Sequence, residues 1–383
     1  MSDLADFVIL HIFILQVEIT TMASEKGSQG ILGIHHITAI AGDPQKNIDF
    51  YTNFLGLRLV KLTVNFDDPQ TYHFYYGDDI GRPGTILTFF PWQYMQKGFR
   101  GTGQVIGTSF LIPENSIEYW VKRLKSQGIS HSSPTKRFDD EQVITFYDPD
   151  GMELELVAHK DAEIRKKHIW RNGPISEEHA TRGIYSATLS LEGYEQTAAL
   201  LTQHMDFSQT NKEGNRFRFA IKDKEKTIDK FYSNNEKRKL DLLNSTSIVD
   251  LVCLPYTQRG SMGVGTVHHI AWRTPTDESQ INMRKKIVST GLDATPIIDR
   301  RYFHSVYFRE PGGILFEIAT DPPGFMVDQK EEDLGQKLLL PEWLEPERRQ
   351  LEKVLPRINI PPYDKFFSQR RGSIQNVIDI ETT

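Results

Sequence analysis

The chain has a single cysteine, no surplus of basic residues and no apolar run long enough to cross a bilayer, and each shortage removes a class of function. Cys253 alone forms no internal disulfide, so the twelve histidines and the Asp and Glu residues are the available metal donors. A reducing cytoplasm fits that usage. The charged residues, 45 basic against 51 acidic, sum to −6, without a basic block of the kind that neutralises phosphates. Nucleic acid and anionic membranes are therefore not expected partners. The most apolar stretch, FVILHIFILQV from Phe7 to Val17, is far shorter than the roughly 20 residues a spanning helix needs. The acidic MSDLAD before it lacks the positive start of a secretory signal. Met22 opens a more ordinary MASEKGSQG, so residues 1–21 read as an upstream extension of the frame.

At 383 residues the chain exceeds what one hydrophobic core usually supports, which makes two domains and an internal repeat the first expectation. GIHHITAIAGD from Gly33 alternates like a strand, and Asp43-Pro44 supplies an N-cap and a first-turn proline. Ile48, Tyr51, Phe54 and Leu55 would share one helix face before a stop at Gly56. Strand-like runs follow at 58–65, 71–76 and 85–90, giving a βαβββ unit. A second unit starts at Gly107, with helix positions Ile117, Trp120, Val121 and Leu124, a stop at Gly128 and the strands of VITFYDPDGMELELVA. A third, fainter unit runs from Gly183 through a helix near 194–204 to strand residues 247–254. A fourth runs from Gly265 through a helix carrying Ile281, Ile287 and Val288, then Gly291 and SVYFREPGGILFEIAT.

With His36, Thr108, Ser186 and His269 as equivalent positions, the unit recurs at intervals of roughly 70 to 85 residues. The expected organisation is an N-terminal extension (1–31), modules one and two (32–160), a linker (161–181), modules three and four (182–323) and a tail (324–383). In the tail, Trp343, Leu344 and Leu351 offer an apolar anchor. A charged insertion, KDKEKTIDKFYSNNEKRK, makes module three divergent and reads as a solvated loop.

Modules one and four share a His-His pair on their first strand, His35-His36 and His268-His269, that the other two lack. Alternation along a strand lets only one histidine of each pair face a given cavity. Module four adds Glu317 on its last strand, where alternation would otherwise bury a hydrophobe. Two imidazoles and one carboxylate on three strands can occupy one face of an octahedron and leave positions open, an arrangement suited to non-haem Fe(II). A lone strand histidine is more often a hydrogen-bonded core residue. The same pair recurring in two units, with a glutamate whose burial without a partner costs several kcal/mol, favours metal. Glu155 is the corresponding carboxylate of module two, but Thr108 and Ser186 stand where its histidines would be, so a structural or vestigial role is expected.

GIHHITAIAGDPQKNIDFYTNFLGLRLVKLTVNFDDP, GTVHHIAWRT and DRRYFHSVYFREPGGILFEIATDPPGF resemble the vicinal oxygen chelate superfamily, and within it the hydroquinone ring-cleaving dioxygenases, including the methylhydroquinone-resistance group. The resemblance runs from about Gly33 to Leu355. It implies an α+β fold of four βαβββ modules in two curved mixed-sheet cups, and iron held by His36, His269 and Glu317. It also implies site roles for Thr38, His268, Arg300 and Tyr307. Arg300 would hold a phenolate or oxyanion and Tyr307 would donate to an oxygen, although Arg300-Arg301 also reads as a solvated basic pair and Tyr307 as a core aromatic.

From that ligand set a pairing follows. If module one joined two and three joined four, His36 would be separated from His269 and Glu317, and two ligands hold iron weakly. Modules one and four of one chain are therefore expected to pair around the metal, and two with three, with an exchange of units between two chains as the alternative that meets the same count. The implied function is Fe(II)-dependent cleavage of hydroquinone-type rings by O2, with Mn(II) as an alternative ion and a homo-oligomer compatible with the sequence. Two other readings stand beside it. A glyoxalase-like lyase or isomerase usually needs a fourth ligand, but the matching strand of module one offers only Leu87-Thr88. A small-molecule binding protein of the same fold needs no metal triad.

Overall fold

The computed structural model describes residues 30–138, 140–221 and 248–361. The extension 1–21, the charged insertion and the last twenty residues lie outside them. Module one contributes β1 (Gly33–Ala41), β2 (Arg58–Asn65), β3 (Asp68–Gly77) and β4 (Ile86–Pro91). Module two contributes β5 (Gln104–Ile112), β6 (Thr135–Arg137), β7 (Glu141–Tyr147) and β8 (Glu153–Ala158). Module three contributes β9 (Ile184–Leu191), β10 (Phe207–Glu213), β11 (Arg216–Ile221) and β12 (Ile248–Cys253). Module four contributes β13 (Val267–Thr274), β14 (Ile298–Asp299), β15 (Phe303–Arg309) and β16 (Leu315–Pro323).

These strands form two eight-stranded sheets, ordered β14-β15-β16-β13-β1-β4-β3-β2 and β10-β11-β12-β9-β5-β8-β7-β6. Module one is thus paired with module four, and module two with module three, as the ligand count requires. Each seam is antiparallel, β1 against β13 and β5 against β9, whereas the first and last strands of a module run parallel. Both seam strands of the first cup are almost wholly buried, because apolar core lies behind them and the cup interior in front.

The helices cover the outer faces. Asp43 caps α1 (Pro44–Ile48) by accepting from the Gln45 and Lys46 amides, and the chain then continues as a π-helical segment, Asp49–Phe54. That wider turn still buries Tyr51, Phe54 and Leu55. In α2 (Ile117–Ser126) the buried residues are Trp120 and Leu124. Gly56, Gly128 and Gly291 follow their helices at φ of +75°, +66° and +89°, the left-handed stop that glycine adopts without strain. After α3 (Glu195–His204) the left-handed residue is Asp206, at φ +62°. Aspartate tolerates that region through local hydrogen bonding, and its presence in place of glycine is one reason the third repeat is faint.

In α4 (Asp277–Ser289) the expected face is corrected. The buried positions include Gln280, Met283 and Ile287, while Ile281 and Val288 are exposed. Gln280 takes an inward place because its side-chain amide donates to the carbonyls of His304 and Ile318, both at 2.7 Å. The tail runs along edge strand β2. Lys61, fully buried, donates to Asp328 and Gln329, both at 2.6 Å, and the Leu339 amide donates to the Leu62 carbonyl. Leu344 and Leu351, in the turn before and within α5 (Arg348–Val354), are buried; Trp343 is largely exposed and packs edge-on against Phe66. Covering β2 removes an open sheet edge.

Candidate metal centre

Strand alternation does not hold at the two His-His pairs, and the departure builds the site. On β1 the register skips a residue between Ile34 and His36, so His35 is the extra residue of a β-bulge; on β13 the skip between His269 and Val267 makes His268 its counterpart. A bulge turns two successive side chains towards the same side. The rings of each pair therefore touch: His35 Nδ1 lies 3.0 Å from His36 Nδ1, and His268 Nδ1 lies 2.7 Å from His269 Nδ1. For a ligand histidine to present a bare Nε2, its Nδ1 must carry the proton. His36 and His269 then donate to His35 and His268, which fixes both ligand rings and leaves the partners with Nε2–H.

The same bulge occurs at Ile106 on β5 and Tyr185 on β9. It places Gly107, rather than Thr108, at the position equivalent to His269, with Ser186 equivalent to His36. The equivalence read from sequence is corrected by one residue in module two.

His36, His269 and Glu317 converge from three adjacent strands. His269 Nε2 is 2.9 Å from Glu317 Oε2, His36 Nε2 is 3.4 Å from the same oxygen, and the two Nε2 atoms are 3.4 Å apart. Three ligands on one octahedral face, with bonds of about 2.1 Å at right angles, would be spaced about 3.0 Å apart. Among the described residues these three are the group of donors close enough to share one ion. Glu317 is fully buried. Its Oε1 accepts from Ser305 Oγ at 2.5 Å, whereas Oε2, although near both imidazoles, has no hydrogen bond of acceptable geometry. A buried carboxylate oxygen left without a hydrogen bond and facing two imidazole nitrogens fits a cation.

The electrostatics point the same way. Burial works against ionisation of Glu317, but His36 and His269 outweigh it and hold the carboxyl well below its ordinary value. Burial lowers His269, against the pull of Glu317. It pushes His268 down to about 3, assisted by His269 and Arg309. The shifts therefore favour an ionised Glu317 and neutral His268 and His269 at pH 7, and ionised carboxylate and neutral imidazole are the forms that ligate.

A cavity of about 330 Å3 opens over His36 and His269. Tyr307 stands directly opposite Glu317 across β15 and β16, and burial raises its hydroxyl pKa. Arg300 lies over the Tyr307 ring, 5.5 Å from its centroid, and pairs with Asp67 at 2.9 Å. Thr38 is buried behind the ligands and accepts from Thr88 Oγ1 at 2.9 Å, which in turn meets His73 Nε2 at 2.9 Å. All seven residues singled out from the sequence thus lie in or beside one cavity. Register also settles the fourth-ligand question: Thr88 pairs with Thr38, two residues past His36, as Glu317 pairs with Ala271, two past His269. Threonine occupies the place a second carboxylate would take. Sequence reasoning missed Ser305, His73 and Trp92. Ser305 could have been found from its spacing, two residues before Tyr307 on one strand face.

The second cup shows what the equivalent carboxylate positions meet where the histidines are absent. Glu155 and Asp250 take the places equivalent to Glu317. Arg137 donates to Glu155 and Glu141, and Arg218 to Asp250 and Glu141. Guanidinium groups thus neutralise the buried carboxylates.

The chain is similar to known proteins over most of its length. A family model described as the Glyoxalase/Bleomycin resistance protein/Dioxygenase superfamily matches residues 33–156. Over 324 residues the chain is 45% identical to a Bacillus subtilis (strain 168) protein named "Putative ring-cleaving dioxygenase MhqO", covering 85% of this chain and 96% of that protein. It is 29% identical over 332 residues to the "Chlorohydroquinone/hydroquinone 1,2-dioxygenase" of Sphingobium indicum, covering 84% of this chain and 95% of that one. A crystal structure titled "putative dioxygenase", from Bacillus subtilis subsp. subtilis str. 168, matches with a TM-score of 0.77 at 42% identity, covering 87% of this chain and 99% of that one.

Proposed function

The chain belongs to the Glyoxalase/Bleomycin resistance protein/Dioxygenase superfamily, and within it to the ring-cleaving dioxygenases; from that premise we propose that it opens hydroquinone-type rings with O2, using Fe(II) held by His36, His269 and Glu317. The observation that carries the metal reading is the buried Glu317 Oε2, without a hydrogen bond and aimed between two imidazole nitrogens. Nitrogen and oxygen donors with open positions suit Fe(II), and Mn(II) is the alternative ion. The lone cysteine suits a reducing compartment, the cytoplasm.

The overall change breaks one ring C–C bond, between a hydroxyl-bearing carbon and its neighbour. Both atoms of O2 enter the product, as a carboxylate and an aldehyde, so no outside reductant is consumed. Bound at the triad, Fe(II) supplies the redox chemistry. The chain's own residues do the rest. Arg300 holds the substrate's phenolate oxygen by a charge-assisted hydrogen bond. Tyr307 keeps its proton and donates it to oxygen at the reacting carbon. His268 accepts from His269 at Nδ1, so its Nε2–H is a donor. Phe303, 5.0 Å from the His36 ring, and Phe90 and Trp92 beside His268 line the cavity and exclude water from the substrate ring.

The test is O2 uptake by protein loaded anaerobically with Fe(II), offered hydroquinone, methylhydroquinone, catechol, and methylglyoxal with glutathione. Uptake with the first two supports the proposal. Turnover of the glutathione adduct without O2 would replace it by a lyase, a reading that Thr88 in the fourth-ligand position disfavours.

A further inference from the structure

Arg300 stands in the three-residue turn between β14 and β15, and that turn is held from outside the metal cavity. The Arg300 amide donates to the Phe303 carbonyl at 3.0 Å, and the Tyr302 amide donates to the Arg300 carbonyl at 2.8 Å. Arg301, at the centre of the turn, has a φ of +68°, in the left-handed region that glycine enters freely and arginine only at a cost. Asp299 Oδ1 accepts from the Arg301 amide at 2.6 Å. That bond needs only the backbone, so it does not explain why the side chain is an arginine. The guanidinium does: its Nε donates to Asp328 Oδ2 at 2.9 Å, and the Tyr302 hydroxyl donates to the same oxygen at 3.2 Å. The other oxygen of Asp328 accepts from the fully buried Lys61 at 2.6 Å. Asp328 belongs to the segment that follows β16 and covers β2, so one carboxylate ties the sheet edge, that segment and the turn together. The Gly324 amide adds a bond to the Tyr302 carbonyl at 2.9 Å, and the Phe325 ring packs on Tyr302 and Tyr75, 5.1 Å from each.

We propose that Arg301 and Asp328 are positioning residues for the reaction: their ion pair, made one residue along from Arg300, fixes the turn so that the Arg300 guanidinium stays over Tyr307 and aimed at the substrate oxygen. The inference rests on the reading that Arg300 holds that oxygen. The two neighbouring side chains leave the turn for different partners, Arg301 for Asp328 and Arg300 for the metal cavity, where it meets Asp67 and the Tyr307 ring. Asp67 cannot hold Arg300 by itself. Its side chain is 71% exposed, and an ion pair reaching into solvent constrains two long side chains little. The anchor therefore lies in the turn. Misplacing a substrate-binding group by about 1 Å can cost about 100-fold in catalysis. With Asp299 and Asp67 still in place, loss of the Arg301 clamp is expected to cost about tenfold.

The experiment uses Arg301→Asn, which keeps a residue that tolerates the left-handed region and removes the guanidinium. On the Fe(II)-loaded enzyme, kcat/KM for hydroquinone should fall about tenfold while iron retention against a chelator stays at the parent level. Arg301→Lys, which returns a cation to Asp328, should recover most of the loss. In an Arg300→Leu background, Arg301→Asn should have no further effect, because no guanidinium is left to position, whereas two independent losses would multiply. The crystal structure of Arg301→Asn gives a readout that needs no turnover: the Arg300 guanidinium should leave its place over Tyr307. Parent activity in Arg301→Asn, a loss that multiplies with that of Arg300→Leu, or an unmoved Arg300 overturns the inference. If the parent does not consume hydroquinone, or Arg300→Leu leaves its turnover unchanged, the reading of Arg300 fails separately. The crystal structure then still decides the clamp, since a displaced Arg300 supports it and an unmoved one overturns it.

Discussion

Replacing Glu155 with glutamine separates the two cups' roles, because it removes a charge from the one argued to be structural. Glu155 Oε2 accepts from Ser109 Oγ at 2.6 Å and from Arg137 Nη1 at 2.8 Å, and burial and these partners act in opposition, with the partners holding its carboxyl below the ordinary value. Around it, Arg137, Arg216 and Arg218 face Glu141, Glu155 and Asp250, three cations against three anions, all but Arg216 buried. Glutamine leaves the cluster one positive charge in excess. Breaking a buried pair by removing one partner costs about 3–5 kcal/mol. Glu141 still faces Arg137, so the lower end, about 3 kcal/mol, is expected. That is a large share of a typical folding free energy of about 5–15 kcal/mol. In urea the midpoint should fall by about 1 M. Well below the transition, iron content and turnover per folded molecule should match the parent. A midpoint unchanged within error would mean that the network contributes little. Loss of turnover in folded, iron-loaded protein would mean that the wrong carboxylate has been assigned to catalysis.

Other perturbations address the first cup. Ser305→Ala frees Glu317 Oε1 and should weaken metal affinity about 10- to 100-fold while the fold persists, read by competition with a chelator. Arg300→Leu should lower kcat/KM by tenfold or more with metal content unchanged, since Arg300 is proposed to touch substrate and not the ion; an unchanged steady-state profile would return it to a surface ion pair with Asp67. In metal-free protein, acid should destabilise the fold through its buried histidines. His268 is pushed from 6.5 to about 3, so below pH 6.5 the unfolded chain binds a proton that the folded chain refuses. Stability from this group is complete above pH 6.5 and is lost as pH falls towards 3, by about 2 kcal/mol at pH 5. His268→Asn should flatten that slope in urea titrations between pH 7 and pH 5.

The repeat, the module pairing and the His-His pairs were legible because they are periodic or duplicated, and duplication survives divergence of the residues between. The bulges were not. Alternation is the default rule for a strand, and nothing local to GIHHITA or GTVHHIA announces an extra residue. Their effect is twofold: His35 and His268 turn towards the ligands instead of away, and the equivalent of His269 in module two is Gly107. The inward face of α4 was misread because Gln280, polar by type, is buried by two backbone carbonyls that sequence cannot place beside it. The arginine network of the second cup stayed hidden for a similar reason. Arg137, Arg216 and Arg218 lie on strands whose neighbours are set by topology, and a charged residue on a strand ordinarily faces solvent. His73 and Trp92 needed the cavity's walls to be known first.

The most direct test of the account is iron stoichiometry in the parent protein and in His269→Ala, both loaded anaerobically and checked for native fold by circular dichroism. One Fe(II) per chain in the parent and none retained by the variant is the predicted result. A folded His269→Ala protein that keeps one iron per chain would contradict the triad and the mechanism built on it.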